Sequence, residues 1–348
     1  MQTTIENYLR ECVREGAFPG ASWITGNQTE VFEQGTVGLL GQGLGPVLKD
    51  SIYDMASITK LFVACALIRQ LEDGLIRLQD MVDYFLPSYK GTPKASITLF
   101  QLLTHTSPIA GGNRLYLSAH TKADLLEEII WTPLRADSSE RVVYTCEAFI
   151  LLGEIVSAID GEPLDAVIQK RVLDPLGMKE TMYRPSAALL ERIAATENDP
   201  WRGRVLRGEV HDENAAVMGG VSGNAGIFST AADMSRLAIA MLDSLEGRGF
   251  LRKPSAELMT RNYTEGRGEN RGLGWMVWER GSSAGDYMSA RAFGHTGYTG
   301  TSLWVDPVYR LYAILLTNRV HPTRENTRLF RTRNIFHNLL ILHYGERA

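Results

Sequence analysis

The sequence predicts an α/β protein of the α+β kind, in which helices flank an antiparallel sheet built from both ends of the chain and a mainly helical lobe is inserted between them. Three observations carry this reading. Strand-like segments cluster before residue 56 and after residue 272. The stretch between them reads mostly as helix. The C-terminal strands are separated by Gly, Pro and Asp turns, not by the helical crossovers that parallel strands require.

The elements follow in order. Ile5 to Glu15 reads as a short amphipathic helix, stopped by Gly16 and Pro19. Ala21 to Thr25 and Glu30 to Val37 read as two strands around the Gly26-Asn27 turn. Ile52 to Met55 is a short extended piece. Ser57 to Glu72 is a helix ended by Asp73-Gly74. Its apolar residues run all round the helix and not along one stripe, which predicts burial on all sides. Thr98 caps Leu99 to Leu103, and Thr121 to Ile130 and Cys146 to Ile159 are helical by period. Leu164 to Val172 is stopped by Asp174-Pro175-Leu176-Gly177.

Glu197 to Gly208 is polar and loop-like, Val217 to Phe228 is glycine-rich, and Thr230 starts a helix that runs to Leu245. Leu273 to Glu279, Met288 to His295, Thr301 to Asp306 and Leu311 to Asn318 have strand composition, and Glu325 to His343 is a final helix. This divides the chain into a sheet lobe (residues 1–78 and 247–348) and a mainly helical lobe (residues 79–246), with an active site expected at their interface.

Composition excludes some function classes. The net charge is −4, and no basic cluster carries interleaved aromatics, so no nucleic-acid partner is expected. The three cysteines, Cys12, Cys65 and Cys146, are scattered and odd in number, which argues against a disulfide framework. No stretch is long and apolar enough for a membrane span, and Met1 to Gly16 has no apolar core of a signal peptide. The simplest expectation is a cytoplasmic protein, although a processed secreted form would look the same. The sequence does not specify an oligomeric state.

Ser57-Ile58-Thr59-Lys60 is the one place where a serine stands three positions before a lysine. At that spacing both side chains lie on one helix face. A buried ammonium tends to lose its proton, and a hydroxyl beside a neutral amine is an activated nucleophile. The alternative is an ordinary helix lysine with Ser57 as its N-cap. Further along, Tyr144-Thr145-Cys146 lies at a loop-to-helix junction, and Gly294-His295-Thr296-Gly297 lies in a turn-rich stretch between strands.

Taken in this order, Ser57-Ile58-Thr59-Lys60, Tyr144 and His295-Thr296-Gly297 resemble the motifs of serine hydrolases related to class C β-lactamases, a superfamily that includes D,D-peptidases and class VIII esterases. The resemblance extends over nearly the whole chain, from Phe18-Pro19-Gly20-Ala21 through Leu102 to Ser107 and Gly219 to Phe228, as far as Gly297-Tyr298-Thr299-Gly300. It implies a β-lactamase/transpeptidase-like fold. It implies that Ser57 is the acylated nucleophile, that Lys60 takes or relays its proton, and that Tyr144 is the acid/base. The backbone N–H groups of Ser57 and Tyr298 would form the oxyanion hole, and His295 would support the charge around Tyr144 and anchor substrate. Thr296, Gly297, Cys146 and Asn318 are further substrate-binding candidates, with Arg319 beside Asn318.

Two departures stand out. A lysine is common in the family where this chain has His295, and histidine supplies only part of a lysine's charge near neutral pH. Activity that depends on ionisation of His295 would titrate near pH 6 to 7. The common Tyr-x-Asn is here Tyr144-Thr145-Cys146, and a thiol replaces an asparagine amide poorly. The expected substrates are esters, or amide bonds of peptidoglycan-derived (muropeptide-like) or D-amino-acid-containing molecules. The alternatives are a weak β-lactamase, or a non-catalytic penicillin-binding-like sensor or scaffold. No cofactor is expected. No metal is expected either, because His211 and Asp212 stand without ligand spacing. His105 reads as a loop-capping or core histidine.

Overall fold

In the computed structural model, which describes residues 4–112, 114–136 and 141–347, strands from the two ends of the chain meet edge to edge. Gly20–Gly26 (β1) and Val31–Gly38 (β2) form the expected hairpin. Tyr53–Asp54 (β3), Met182–Tyr183 (β4), Asn198–Asp199 (β5), Arg204–Val205 (β6) and Ile227–Ser229 (β7) are short. Met276–Val277 (β8), Phe293–Thr296 (β9), Ser302–Asp306 (β10) and Leu311–Thr317 (β11) complete the set. Among the described residues the main sheet has the order β2-β1-β11-β10-β9-β8, and its paired neighbours run antiparallel. A second sheet, β3-β7-β4, lies beside the start of the Thr59–Glu72 helix.

The period-2 pattern of β11 builds two cores. Leu311, Ala313 and Leu315 pack with Ile5, Leu9, Leu329 and Phe336 from the Ile5–Arg14 and Leu329–Tyr344 helices. Tyr312, Ile314 and Leu316 face the other way, into the cluster that holds Met234, Leu237 and Met241 of the Ala231–Leu245 helix. That second cluster continues through Leu61 to Ile68 and reaches Leu125 and Ile129. Leu61 to Ile68 are all fully buried, as their all-round apolar pattern predicts.

Several boundaries differ from expectation for local reasons. The segment Leu273 to Glu279 keeps only β8, because Gly274 adopts a positive φ where a Cβ would lie 2.6 Å from Ala64. Met288 to Ala292 leave the ladder because the Asp306 carboxylate accepts hydrogen bonds from the Ser289 N–H and hydroxyl. The expected helix Leu164 to Val172 widens into a π-turn over Gln169–Leu173. The last helix starts at Leu329 and not at Glu325. The stretch read as loop carries the β5–β6 ladder. The Ala231–Leu245 helix, expected in the helical lobe, packs on β1, β10 and β11. No helix among the described residues is long and apolar enough to cross a membrane.

Candidate active site

Ser57 sits on a strained turn. It lies in a 3-10 turn, Ala56–Ile58, that feeds the Thr59–Glu72 helix. Ala56 has φ of 47°, a left-handed conformation that costs a non-glycine residue roughly 1–3 kcal/mol. The buried Asp54 carboxylate holds the turn by accepting from the Ala56 N–H at 2.8 Å and the His211 N–H at 2.7 Å. The Met55 N–H donates to the Ile227 carbonyl, and the Ile227 N–H donates to the Thr59 hydroxyl, so β7 clamps the turn from one side.

Lys60 is fully buried one helical turn on. Its Nζ donates to Ser57 Oγ at 3.1 Å and to the Asn224 carbonyl at 2.9 Å. The glycine-rich segment makes this second contact possible. A Cβ on Gly223 would lie 2.0 Å from the Phe149 carbonyl, so only glycine lets the chain approach the Cys146–Asp160 helix this closely. Lys60 corrects one expectation. Burial does pull its proton off, but the neighbouring Tyr144, Cys146 and Asp212 outweigh burial and hold its pKa above the ordinary value. The shift thus runs opposite to the proton loss that burial alone predicts.

Tyr144 precedes Thr145, the N-cap of the Cys146–Asp160 helix. The Lys60 ammonium lies 4.9 Å from the Tyr144 ring centroid. The Tyr144 hydroxyl is buried and makes no well-formed hydrogen bond, although it lies close enough to Lys60 to raise the lysine's pKa. His105 positions Tyr144 from below. Its Nδ1 accepts from the Thr145 N–H, its carbonyl accepts from the Val143 N–H, and its ring packs 4.5 Å from the Tyr144 ring. Because Nδ1 accepts, the proton of the neutral ring sits on Nε2.

His295 lies on β9 and is 2% exposed. Its Nδ1 donates to the Thr296 carbonyl at 2.9 Å, which leaves Nε2 as a bare acceptor without a partner. Burial, then the charges of Arg271 and Lys60, push its pKa well below the ordinary histidine value. Burial and the two cations thus favour the neutral ring over the partial positive charge that a histidine would otherwise carry near neutral pH.

The loop carrying Tyr298 is tied to the nucleophile turn. Thr299 Oγ1 donates to the Asp54 carbonyl at 2.7 Å, and Thr301 Oγ1 donates to the Met55 carbonyl at 3.2 Å. Arg333 Nη2 donates to the Gly297 and Thr301 carbonyls from behind. A Cβ on Gly297 would lie 2.1 Å from Thr301 Oγ1 and 2.5 Å from the Met55 carbonyl. Gly297 therefore serves close packing, not substrate contact through a side chain. Among the described residues the Tyr298 backbone N–H reaches no backbone acceptor.

Ser57, Tyr144, His295, Thr296, Gly297 and Tyr298 line one cleft of about 290 Å³. Lys60 reaches it through Ser57 from beneath. A wider depression of about 960 Å³ lies elsewhere, but the charged Arg192 on its wall is already paired with Asp50 and Glu180, so size does not locate the chemistry. Asn318 falls outside the cleft. It is 1% exposed, its Oδ1 accepts from the Gly20 N–H, and its amide donates to the Leu40 carbonyl, so its hydrogen-bonding capacity goes into joining β1 to the end of β11. Arg319, its neighbour, lines the cleft and lies 4.7 Å from the Tyr298 ring. Cys146 is only partly buried by its neighbours, yet its thiol is pushed up to about 11, by burial first and against the pull of Lys60, so it stays protonated.

Sequence reasoning missed Asp54, Thr299, Thr301, Arg271 and Arg333. Their partners are distant in the chain, and only the position of Thr299 and Thr301 directly after the His295 motif hinted at a role. Among the described residues, no group of three His, Cys, Asp or Glu side chains could hold a metal ion.

Comparison with known proteins bears on the family and the fold. Residues 5–336 match the family model described as Beta-lactamase. The chain is 31% identical over 307 residues to a protein of Escherichia coli (strain K12) named "Putative D-alanyl-D-alanine carboxypeptidase", covering 78% of this chain and 70% of that protein. Among solved structures it is similar to "EstCE1, a hydrolase with promiscuous acyltransferase activity", with a TM-score of 0.75, 19% identity, and 94% and 97% of the two chains covered. The class C β-lactamase of Rhodobacter sphaeroides aligns with a TM-score of 0.75 and 19% identity, covering 96% of this chain and 99% of the other. At that identity the structural likeness speaks for the fold, while the family match and the curated relative speak for descent. The chain belongs to the β-lactamase family of serine hydrolases.

Proposed function

We propose that the chain hydrolyses esters, or amide bonds of D-amino-acid-containing and peptidoglycan-derived substrates, through an acyl-enzyme on Ser57. The observation that carries this reading is the 3.1 Å contact from Lys60 Nζ to Ser57 Oγ, made beside the unpartnered Tyr144 hydroxyl. Lys60 orients Ser57 through that contact, and its raised pKa suits it to stabilising anions more than to taking the proton. Tyr144 is assigned as the base that receives the Ser57 proton.

Ser57 Oγ attacks the substrate carbonyl carbon while its proton passes to the Tyr144 oxygen. The negative charge that develops on the carbonyl oxygen is met by the backbone N–H groups of Ser57 and Tyr298. Tyr144 then returns the proton to the leaving alkoxide or amine as the carbonyl–leaving-group bond breaks. In the second half, Tyr144 takes a proton from water, the hydroxide attacks the acyl carbon, and Ser57 leaves and recovers its proton.

The name of the Escherichia coli relative favours D-alanyl-D-alanine ends as one substrate class. With a thiol at Cys146 in place of an amide, and a neutral His295, esters are the more tolerant class. The test is intact mass after incubation with a fluorophosphonate, followed by a panel of p-nitrophenyl esters, D-amino-acid amides, muropeptides and a penicillin. A single adduct, absent in Ser57→Ala together with roughly a thousandfold or greater loss of turnover, is expected. An unlabelled protein that leaves p-nitrophenyl acetate intact would sink the reading in favour of a binding protein.

A further inference from the structure

Tyr144 can take the Ser57 proton only as an anion, and a phenolate in a buried site needs positive charge beside it. The groups that face it come from several elements. Lys60 comes from the Thr59–Glu72 helix, with Asp212 and Cys146 near its ammonium. His105 packs against the ring from the turn after Leu99–Leu103, and His295 faces it from β9 at 6.1 Å between ring centroids. Both histidines are buried and neutral. Arg271, from the turn before β8, is the remaining neighbour, with its guanidinium carbon 5.2 Å from the Tyr144 ring centroid.

Arg271 is held as a fixed charge. Its residue is 3% exposed. Its N–H donates to Thr264 Oγ1, and its carbonyl accepts from the Tyr263 N–H. Nε and Nη2 both donate to Glu269 Oε2, while Nη1 is buried with no partner. The pair is asymmetric. The Glu269 side chain is 44% exposed, where water screens it, whereas the arginine is 4% exposed and acts on its neighbours through protein. Its charge reaches the site, since it helps hold both His105 and His295 in the neutral form.

We propose that Arg271 is a positioning residue that supplies the second permanent positive charge beside Tyr144, so that the tyrosine can work as a base although His295 carries no charge. Guanidinium suits the task because it never loses its proton in a protein and stacks against aromatic rings. Lys60 alone is a shared resource. It bonds Ser57 and Asn224 and is partly balanced by Asp212, whereas the unpartnered Nη1 leaves part of the Arg271 charge uncommitted.

The proposal rests on the acyl-enzyme reading, so its test uses a readout independent of turnover. The full chain is titrated by tyrosinate absorbance, and each variant is compared with the same variant carrying Tyr144→Phe to isolate the Tyr144 signal. Arg271→Gln is expected to move the appearance of that signal upward by about one pH unit or more, a tenfold change in ionisation constant. Arg271→Lys is expected to restore most of the shift. The double variant Arg271→Gln/Glu269→Gln removes the pair without stranding a carboxylate, and is expected to behave like Arg271→Gln. The pH dependence of Ser57 phosphonylation should move with the absorbance signal. A Tyr144 signal that stays within about 0.3 pH unit in both glutamine variants overturns the proposal. So does a folded Arg271→Lys that restores nothing. Failure of the wild-type protein to react with a fluorophosphonate would instead overturn the hydrolase reading, while the absorbance titration would still decide the role of Arg271.

Discussion

On the helical side of the cleft, Lys60 is fully buried and its pKa is nevertheless raised, with Tyr144 and Asp212 beside it. On the strand side, His295 is equally buried and neutral, because the cations Arg271 and Lys60 surround it. The same desolvation acts on both, and the sign of the neighbouring charge decides the outcome. The two buried histidines sharpen the contrast. His105, under the helical wall, accepts a backbone N–H at Nδ1 and so carries its proton on Nε2. His295, on the strand wall, donates from Nδ1 to a carbonyl and so presents Nε2 as an acceptor. Tyr144 stands between a helical wall that brings Lys60 and a strand wall that brings the Arg271 guanidinium and the His295 acceptor.

The comparison breaks first at Lys60. Lys60→Met keeps the stem and removes the ammonium, leaving Ser57 Oγ and the Asn224 carbonyl without their donor. The expected loss in kcat/KM for an ester is about a hundred- to ten-thousandfold, with Ser57 phosphonylation slowed in parallel. A variant within threefold of wild type would show that the helical wall does not carry the chemistry.

Acid stability compares the walls directly. An unfolded histidine titrates near 6.5, whereas His105 and His295 are held well below that and His337 is pushed down to about 3. Between the folded and unfolded values the unfolded chain binds the extra protons, so stability rises with pH there. Their contribution is fully present above about pH 6.5 and declines as the pH falls, for His337 down to about 3. Each buried ring is expected to cost up to about 2 kcal/mol at pH 5 relative to pH 7.5. Tm should therefore fall across that range, and His105→Asn and His295→Asn should each flatten the fall. An unchanged slope in both variants would remove the claim that these rings are held neutral.

The smallest effect is expected on the strand wall. Thr299→Val keeps the shape and removes the hydroxyl that donates to the Asp54 carbonyl. It should lower stability by about 1 kcal/mol and loosen the tie between Tyr298 and the nucleophile turn, reducing kcat more than it changes KM. Thermal melts and steady-state kinetics of the same preparation check both halves. A KM change alone would place Thr299 in substrate binding.

Much of this site was legible in the chain. Ser57 and Lys60 face each other because three residues make about one turn, from the 3-10 turn that carries Ser57 into the helix that carries Lys60. The burial of Leu61 to Ile68 followed from an apolar pattern with no polar stripe. A sheet assembled from both chain ends, in which β1 pairs with β11, follows from strand composition at those ends. Residues whose meaning depends on a distant partner were not legible. Asn318 and Arg319 are adjacent in sequence, yet one is spent joining strands and the other lines the cleft. Arg271 precedes a glycine turn with nothing local to mark it, and its meaning comes from Tyr144, far away along the chain.

What the amino-acid order determined by itself was the periodicity, and with it the helix that presents Ser57 and Lys60 and the alternation that splits β11 between two cores. Such features are short-range, set by backbone geometry and side-chain spacing. What only the tertiary structure decided was protonation and occupation: the raised pKa of Lys60, the neutrality and tautomer of His295, and the diversion of Asn318 into a strand joint. Those depend on the burial of each group and the charges and carbonyls brought beside it, which folding sets and a linear spacing does not contain.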